Sequence, residues 1–473
     1  MNKYYVSQYV NVIDLENSAL LFNGINGCMD TVSRKLGDSL RAKDTAELSF
    51  LSTQDMELLA KRGHLTTLPP ETEWARFKEF AAALHSRRER QTTHGGIMLL
   101  MSYNCNLACK YCYQQEHRPH KSREGMTEKF VEALFERHIS SVLPGIELKN
   151  TEISFYGGEP FLPANLPVIR KALSYAKRYG MSSRAISNAT QVESMLDIFG
   201  AGPGKVNYVQ VSLDGDRELH DKSRIPASGE GTFDRIVNNI ALMLKQGAHV
   251  NIRLNLDRRT LASIPNLVKE LKSRKILGAP NASIYASPLH DNVAEVDTTH
   301  FMDAGELSSK VFDLGIDMEH PVSLRANDMS YLFQLEKGLG LMQTSFCMQT
   351  IQNTLVVDPF GDLYGCFEEA GYAENRVGHI SEGGVEFFPL RKTYKTRHIA
   401  NMDECVKCPV ALACGGQCGV RCRAVTGDLF KPNCDGIKNT ILQGLKLAYE
   451  KRLKNGGGTP TRTNEAATRS VHG

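Results

Sequence analysis

Three cysteines lie within one short segment of the chain, at Cys105, Cys109 and Cys112. The segment directly follows a strand-like run, so a single loop carries three thiols in a C-x3-C-x2-C spacing. Three thiolates in one loop can hold one corner of an iron–sulfur cube, whereas zinc takes a fourth ligand that this segment does not offer. Such a cube keeps one iron open for a substrate or cofactor. The alternative is three structural cysteines that meet by chance at a strand end.

A second group of cysteines occupies the carboxyl-terminal third of the sequence. Its seven members are Cys347, Cys366, Cys405, Cys408, Cys414, Cys418 and Cys434. A zinc ribbon would use two C-x2-C pairs, and only Cys405 and Cys408 form one. In a reducing cytosol, clustered thiols more often bind metal than form disulfides. The two groups of cysteines therefore predict metal chemistry.

An alternation of strands and helices begins near residue 95. The strand-like runs are Ile97–Met101, Ile153–Tyr156, Arg184–Ser187, Tyr208–Leu213, Val250–Leu256 and Ser283–Ala286. The helix-length segments include Glu128–Val142, Pro167–Tyr179, Phe233–Lys245 and Ile264–Lys275. This order predicts an α/β fold with a parallel sheet and right-handed crossovers. Six such units make a partial (β/α)6 barrel over residues 95–320, with its active site at the carboxyl ends of the strands.

The remaining segments predict two flanking regions and a tail. Residues 1–85 combine two short alternating runs with helical spacing through Met29, Val32 and Leu36, which favours a small winged-helix-like module. A linker is predicted at Leu68-Pro69-Pro70, before a basic helix. Short strands and turns accompany the cysteines in residues 345–440. Residues 453–473 are rich in glycine, serine and threonine and are predicted to be disordered.

Composition excludes several functional classes. The chain has 473 residues, with 56 Lys and Arg against 53 Asp and Glu, a net charge of +3. That balance argues against a nucleic-acid binder. No apolar run approaches the roughly 18 residues that a membrane span needs, and the amino terminus lacks the apolar core of a signal peptide. A cytoplasmic protein without a nucleic-acid or membrane partner is therefore predicted.

The three-cysteine loop, including Tyr111 before its third cysteine, resembles the signature of the radical S-adenosylmethionine (SAM) superfamily. The resemblance implies a [4Fe-4S] cluster whose unique iron chelates SAM. It also implies reductive cleavage of SAM to a 5′-deoxyadenosyl radical, which abstracts hydrogen from an unactivated carbon. The cofactor supplies this chemistry, and the protein supplies positioning and exclusion of water.

The resemblance also implies roles for residues at the strand ends. Gly157-Gly158-Glu159 would hold the SAM amino group, and two glycines permit a close backbone approach to a ligand. The run from Ser212 to Arg224 is similar to the S-x-D-G…H-D-x-x-R stretch of peptide- and sulfatase-modifying members. The implied contacts of the SAM ribose are Ser187, Asn188 and Ser212. Arg224 is implied for the SAM carboxylate and Asn255 for the adenosine. The remaining implied SAM contacts are Tyr111, Gly157, Gly158 and Glu159.

Residues 345–440 resemble the SPASM extension of radical SAM enzymes, which carries two auxiliary [4Fe-4S] clusters. The resemblance implies two ligand sets: Cys405, Cys408, Cys414 and Cys434 for one cluster, and Cys347, Cys366 and Cys418 for the other. The second set is one ligand short, because Asn353 stands where closed-cluster relatives have a cysteine. Either that iron stays open or Cys422 reaches it. An open iron can bind and deprotonate a substrate thiol. Cys28 is predicted to be a small, buried, apolar residue of the amino-terminal module.

These resemblances favour an enzyme that modifies a ribosomally made peptide or protein by forming a thioether. Residues 1–85 resemble, in size and element order, modules that bind a leader peptide as an added strand. The alternatives are an anaerobic sulfatase-maturing, formylglycine-generating enzyme, another peptide oxidation or carbon cross-link, and a non-catalytic electron carrier. The expected partners are the substrate and a reductant such as flavodoxin or ferredoxin. Tyr285, His290 and Asp291 are candidate acid–base groups, with placement on a surface loop as the alternative.

Overall fold

The computed structural model describes residues 3–43, 48–109, 111–114, 124–226, 228–289, 299–302, 306–307, 310, 314, 342–347, 353–434 and 436–454. The chain divides into two compact units. The barrel unit comprises residues 91–327 and 348–395, and the terminal unit comprises residues 1–90, 328–347 and 396–473. The segment 345–440 thus contributes to both units.

The amino-terminal residues of the terminal unit form two small antiparallel sheets. Strands β1 Tyr5–Val6 and β5 Leu65–Thr66 pair with each other, and β2 Val10–Asp14, β3 Ser18–Asn23 and β4 Met29–Ser33 form a three-stranded sheet. The helices are α1 Arg34–Arg41, α2 Thr53–Lys61 and α3 Pro70–Gln91. Ser33 and Ser52 cap α1 and α2 by accepting backbone N–H groups. A small strand-then-helix module is present, and its winged-helix assignment stays a prediction.

Two segments of this region differ from the sequence predictions. Helical spacing was expected from Met29 onward, but Met29–Ser33 is β4 and pairs with β3. Thr31 and Val32 are β-branched, and the cross-strand pairing outweighs the helical spacing. The linker at residues 68–70 also ends early, because Pro70 opens α3. Proline suits the first turn of a helix, where its missing N–H would have no helical partner.

The barrel unit contains six parallel strands in sequence order, which confirms the predicted fold class. They are β6 Gly95–Leu100, β7 Thr151–Tyr156, β8 Ser182–Ser187, β9 Tyr208–Leu213, β10 His249–Leu256 and β11 Ala282–Pro288. Each strand pairs with its neighbour in parallel, for example Val250 with Ala282. Carboxyl ends of parallel strands meet at one edge, so loops after these strands gather on one side.

Helices between these strands cover the sheet. They are α4 Glu128–Ala133, α5 Ile139–Val142, α6 Leu166–Tyr179, α7 Arg217–Ser223, α8 Phe233–Lys245, α9 Arg258–Leu261 and α10 Ile264–Ser273. The helix predicted over Glu128–Val142 is interrupted, because Leu134–His138 forms a π-helical turn between α4 and α5. Helix α6 ends at Gly180, whose φ of 68° is the left-handed conformation that glycine adopts readily.

Four further strands extend the sheet beyond β6. They are β12 Asn353–Val357, β13 Asp362–Tyr364, β14 Arg376–Ser381 and β15 Gly384–Phe387. Strand β12 pairs in parallel with β6, and the other three follow as an antiparallel meander. The Tyr103 hydroxyl donates to Asp358 at 3.0 Å, which fastens the segment after β6 to the end of β12. The segment after β12 thus lies beside the three-cysteine loop of the same unit.

The carboxyl-terminal residues complete the structure. Their helices are α11 Pro389–Thr396, α12 Asp403–Val406, α13 Ala411–Cys414, α14 Gly419–Thr426 and α15 Ile437–Lys454. In the terminal unit, Leu20 and Phe22 of β3 share a buried cluster with Cys414, Ile441 and Leu445. The two ends of the chain therefore build one core there. Among the described helices, none is long and apolar enough to cross a membrane.

Candidate active site

The three-cysteine loop leaves β6 and lines a cavity at the carboxyl ends of the parallel strands. Its backbone is fixed by a hydrogen bond from Ala108 N to Ile225 O at 2.7 Å, and Cys112 N donates to Cys109 O at 3.1 Å. Cys109 is buried, and Cys105 is partly exposed. The structure also brings the predicted SAM contacts to this cavity, lined by Tyr111, Gly157, Gly158, Glu159, Ser187, Asn188, Ser212, Arg224 and Asn255.

The two glycines after β7 hold the backbone of the cysteine loop. Gly158 N donates to Ser102 O at 2.9 Å, and Glu159 N donates to Asn104 O at 2.8 Å. Gly157 has a φ of +145°, and a Cβ there would lie 2.5 Å from Ser102 O. Only glycine permits this approach. The glycine pair therefore positions the entry to the three-cysteine loop as well as lining the cavity.

Gly158→Ala should disrupt this contact. An added Cβ would lie 2.1 Å from Asn104 O, and a backbone carbonyl cannot rotate away as a flexible side chain can. We expect a loss of about 1–3 kcal/mol in the free energy of unfolding, measured by denaturant titration, together with a lower cluster content. Gly383→Ala is the control, because its added Cβ would meet only Ser381 Oγ at 3.6 Å. Equal stability of the two variants would contradict the proposed packing.

Glu159 is held by three donors from its own chain. It is 1% exposed, and its carboxylate accepts from Phe161 N at 2.9 Å, Ser187 Oγ at 2.7 Å and Asn188 N at 2.7 Å. Burial raises the pKa of Glu159, while these donors and Arg224 act in the opposite direction. Its side chain thus ties the end of β7 to the end of β8.

Asn188 connects the end of β8 to the cysteine loop. Its Nδ2 donates to Asn106 Oδ1 at 3.0 Å and faces Cys105 Sγ at 3.7 Å. Its Oδ1 accepts from Thr190 N at 2.9 Å. An N–H directed at sulfur favours the thiolate, because it stabilises the negative charge. Ser212 lies on β9 at the same cavity.

Asp214, which follows β9, is a central residue of the site, although its sequence pattern indicated no role for it. Its carboxylate accepts from the Tyr111 hydroxyl at 2.6 Å and from Asn255 Nδ2 at 3.1 Å. Arg224 Nη1 donates to the Tyr111 hydroxyl at 2.6 Å. Three of the predicted SAM contacts therefore meet around one buried carboxylate. The D-G pair after a strand was the available sequence signal, but such a pair ordinarily indicates a turn.

The cavity has donors that no described protein group satisfies. Arg224 Nε, Arg253 Nε and Gln114 Nε2 are buried and have no hydrogen-bond partner. All three residues line the cavity beside the three thiols. Buried N–H groups rarely remain unpaired in native proteins, so they indicate a polar ligand. Soft thiol donors beside orphaned N–H groups fit an iron–sulfur cluster together with an anionic, hydrogen-bonding cofactor.

Of the predicted acid–base groups, Tyr285 alone belongs to the described residues, and it does not line this cavity. The Tyr285 hydroxyl donates to Gln210 Oε1 at 2.8 Å on the sheet, and burial raises its pKa. His290 and Asp291 lie outside the described residues. The cavity wall instead contains Tyr113 and Tyr156, whose hydroxyls are hydrogen-bonded to each other. No sequence motif indicated this tyrosine pair.

The carboxyl-terminal cysteines are distributed over both units. Cys405, Cys408, Cys414 and Cys434 all belong to the terminal unit. Burial, and then the nearby thiols of the other three, raise the pKa of Cys405, which indicates that these four sulfurs lie near one another. Cys347 and Cys418 belong to the terminal unit and Cys366 to the barrel unit. Within the described ranges, no three His, Cys, Asp or Glu side chains are placed to hold a single metal ion.

Cys422 has protein partners of its own. It is fully buried in α14, and its sulfur accepts from Arg397 Nη2 at 3.3 Å and Asn433 N at 3.2 Å. Arg397 also donates to the Leu429 carbonyl at 2.7 Å, so the guanidinium is held in place independently of the thiol. These contacts give the Cys422 sulfur two protein donors. The Cys422 thiol also lies near Cys434, whose pKa is raised by burial, then by Cys408 and by Cys422.

Comparisons with known proteins identify the class to which this site belongs. Residues 99–271 match the model of the radical SAM superfamily. A cysteine-type anaerobic sulfatase-maturating enzyme of Clostridium novyi is 28% identical over 179 residues, covering 37% of this chain and 46%, less than half, of that enzyme. A Fe-coproporphyrin III synthase of Methanosarcina barkeri is 25% identical over 370 residues, covering 72% of this chain and 88% of the synthase.

Solved structures show the same fold. Native anSMEcpe with bound AdoMet has a TM-score of 0.54 at 19% identity, covering 76% of this chain and 97% of that one. Streptococcus suis SuiB bound to the precursor peptide SuiA has a TM-score of 0.50 at 14% identity, covering 92% and 99%. Residues 99–271 therefore form a radical SAM domain. The lining of its cavity fits the [4Fe-4S] cluster and the SAM that this superfamily uses.

Proposed function

We propose that this radical SAM enzyme modifies a ribosomally made peptide or protein by forming a thioether cross-link. The observation that carries the peptide-modifying part is the amino-terminal strand-and-helix module, which shares a buried core with the cysteine-rich carboxyl-terminal region. SuiB, solved with its precursor peptide, covers 92% of this chain, compared with 76% for native anSMEcpe. This broader coverage supports a peptide substrate presented by the amino-terminal module.

Different residues at the cavity would hold the cluster and SAM. Reductive cleavage of SAM at the cluster supplies a radical that abstracts hydrogen from the substrate. Cys105, Cys109 and Cys112 would ligate the cluster, and Arg224 Nε would receive the SAM carboxylate. Gly157 and Gly158 offer backbone beside the amino group, and Ser187, Asn188, Ser212 and Asn255 would contact the ribose and adenine. Buried side chains around the cavity exclude water, which strengthens these polar contacts.

Thioether formation is favoured by the missing ligand of the second auxiliary set. Asn353 opens β12, where closed-cluster relatives have a cysteine, and an amide is a poor iron ligand compared with a thiolate. Cys422, the rival ligand, is already engaged by Arg397 and Asn433. We propose that Cys347, Cys366 and Cys418 leave one iron open for a substrate thiolate. Holding that thiolate near the carbon radical would lower the entropic barrier to carbon–sulfur bond formation. The thiol would lose its proton, the 5′-deoxyadenosyl radical would take the hydrogen atom from carbon, and the auxiliary cluster would accept the one electron released as the bond forms.

The mass of the product tests this function. Precursor peptides encoded beside the gene would be incubated anaerobically with reconstituted enzyme, SAM and reductant. We expect the peptide to lose two hydrogen atoms and one thiol to become unreactive toward alkylation. Conversion of a cysteine thiol or serine hydroxyl to an aldehyde would instead support formylglycine formation. That second candidate is favoured by the similarity to sulfatase-maturating enzymes. SAM cleavage without a change in any peptide would indicate a different substrate, whereas a failure to cleave SAM at all would support the non-catalytic electron carrier.

Strand β4 is the proposed docking edge for a leader peptide. In the three-stranded sheet, β4 pairs only with β3 among the described residues. At the other edge strand, β2, Lys43 Nζ donates to the carbonyl of Val10 and to that of Ser7 before the strand. At β4, Arg62 Nη2 donates to the carbonyl of Met29, so the proposed docking stretch is residues 30–33. Burial lowers the pKa of Lys43 to about 8. An open edge strand takes up an extended peptide through main-chain hydrogen bonds.

Hydrogen–deuterium exchange should locate the leader peptide. When the precursor peptide is added, we expect the amides of β4 to exchange at least about tenfold more slowly, because new main-chain hydrogen bonds protect them. Strand β2 serves as the internal control and should not change. Protection confined to the barrel unit, with β4 unaffected, would contradict the docking edge. A flavodoxin or ferredoxin as reductant and a cytoplasmic location complete the proposal.

A further inference from the structure

Asp214 organises one side of the cofactor cavity. It follows β9 and is 2% exposed. Its carboxylate accepts from the Tyr111 hydroxyl at 2.6 Å, from Ser223 Oγ at 2.9 Å and from Asn255 Nδ2 at 3.1 Å. These donors come from the cysteine loop, the end of α7 and β10. One carboxylate therefore ties three separate elements together.

Tyr111 stands between Asp214 and Arg224. Arg224 Nη1 donates to the Tyr111 hydroxyl at 2.6 Å, whereas it lies 3.9 Å from Asp214 Oδ1. The phenol thereby prevents a direct, short ion pair. Arg224 Nε remains buried without a partner at the cavity, and the residue is 8% exposed. The guanidinium is thus held by one nitrogen and keeps a donor for a ligand.

A second chain of hydrogen bonds fixes the backbone of Arg224. Asp214 N donates to His220 Nδ1 at 3.3 Å, and His220 Nε2 contacts Thr232 Oγ1 at 3.1 Å. Thr232 Oγ1 in turn donates to Arg224 O at 3.1 Å. Burial lowers the pKa of His220 to about 4, so its ring is neutral and can accept at one nitrogen and donate at the other. Asp214 therefore acts on Arg224 through its side chain and through its backbone.

We propose that Asp214 is a positioning residue for SAM. Through Tyr111, Asp214 orients Arg224 toward the SAM carboxylate and also holds the cysteine loop in place. This inference rests on the role proposed above for Arg224. Tyr111 lies between Cys109 and Cys112, so a single relay joins the carboxylate-binding side chain to the cluster-binding loop. The relay predicts that SAM affinity depends on Asp214, a residue that does not line the cavity.

Removing the charge of Asp214 has two opposing effects on SAM affinity. The carboxylate repels the SAM carboxylate, so its loss alone would tighten binding. Its loss also removes the acceptor for three buried donors, which an amide with a single acceptor oxygen cannot replace. Hydrogen bonds to charged groups are the stronger kind, and unpaired buried donors are costly. The sign of the change in SAM affinity therefore separates a positioning role from simple repulsion.

The experiment measures equilibrium SAM binding to the reconstituted holoenzyme, together with the EPR spectrum of the reduced cluster with and without SAM. Asp214→Asn should weaken SAM affinity about 10- to 100-fold and reduce the SAM-induced change in the spectrum. Tyr111→Phe should weaken affinity in the same direction, because Arg224 is then free to pair directly with Asp214. The double variant should show less than the sum of the two effects, since both changes interrupt one relay.

Asp257→Asn is the matched control. Asp257 is also 2% exposed, and it caps α9 by accepting from Arg259 N and Thr260 N, but it does not line the cavity. It should lower stability without changing SAM affinity. If the Asp214→Asn variant does not retain its iron, the SAM affinity of Tyr111→Phe tests the positioning role instead.

Three outcomes distinguish the proposals. Unchanged or tighter SAM binding by Tyr111→Phe, or by iron-replete Asp214→Asn, overturns the positioning role. Arg224→Gln should itself weaken SAM binding. If Arg224→Gln binds normally, the assignment of Arg224 fails and this inference fails with it. If only Arg224→Gln weakens binding, the assignment stands and the relay is wrong.

Discussion

Replacing Cys105, Cys109 and Cys112 together with alanine should remove one [4Fe-4S] cluster and abolish SAM cleavage. These are the cysteines that line the cavity with the glycine pair and Arg224. Without three thiolates the cluster has no site, and without the cluster SAM receives no electron. The auxiliary clusters should persist, because their proposed ligands begin at Cys347. Iron content and 5′-deoxyadenosine formation under reducing conditions are the two measurements.

Cys28→Ala provides the control for that variant. Cys28 is 2% exposed and belongs to the terminal unit, away from the three-cysteine loop in sequence. Its replacement should leave iron content and SAM cleavage unchanged. Continued 5′-deoxyadenosine formation by the triple variant would refute the assignment of the loop.

Asn353→Cys should suppress cross-linking while SAM cleavage continues. Asn353 is the first residue of β12, and its backbone pairs with Gly95 in extended conformation, which cysteine also adopts. A thiolate there would supply the fourth ligand and leave no open iron for the substrate thiol. We expect thioether product to fall at least about tenfold, as perturbed metal sites commonly lose 10- to 100-fold in activity. Uncoupled SAM cleavage should stay within about twofold, a change below 0.5 kcal/mol.

Two further variants distinguish the possible fourth ligands. Thr354→Ser changes the next residue of β12 without adding a thiol, and should cross-link like the parent enzyme. Cys422→Ala should lower stability through lost contacts with Arg397 and Asn433, without altering the cluster spectrum. A changed spectrum in Cys422→Ala would make Cys422 the fourth ligand and contradict the open iron.

The parallel sheet was largely predictable because its strands carry their signal locally. Tyr208–Leu213 and Phe233–Lys245 have the bounds that the sequence predicted. Buried β-branched runs and one apolar helix face each lie within a short window. The clustering of the strand-end motifs followed from parallel topology, which brings carboxyl ends to one edge.

Other features depend on residues far apart in the chain, where a local pattern gives no signal. Asp214 receives donors from Tyr111, 103 residues away, and Asn255, 41 residues away. Leu20 packs in one cluster with Cys414 and Ile441. Deleting residues 1–85 would therefore expose this shared core and disturb the cysteine-rich region as well. For that reason, leader binding is better tested by hydrogen exchange at β4. The strand at Met29–Ser33 was missed because pairing with β3 decided its conformation.

Transfer of deuterium from substrate to cofactor tests the central claim most directly. The enzyme would be incubated with SAM, reductant and a perdeuterated precursor peptide encoded beside its gene. Radical modification of that peptide predicts 5′-deoxyadenosine that carries one deuterium, formed together with the modified peptide. Unlabelled 5′-deoxyadenosine accompanying an unchanged peptide, for every such peptide, would contradict the account.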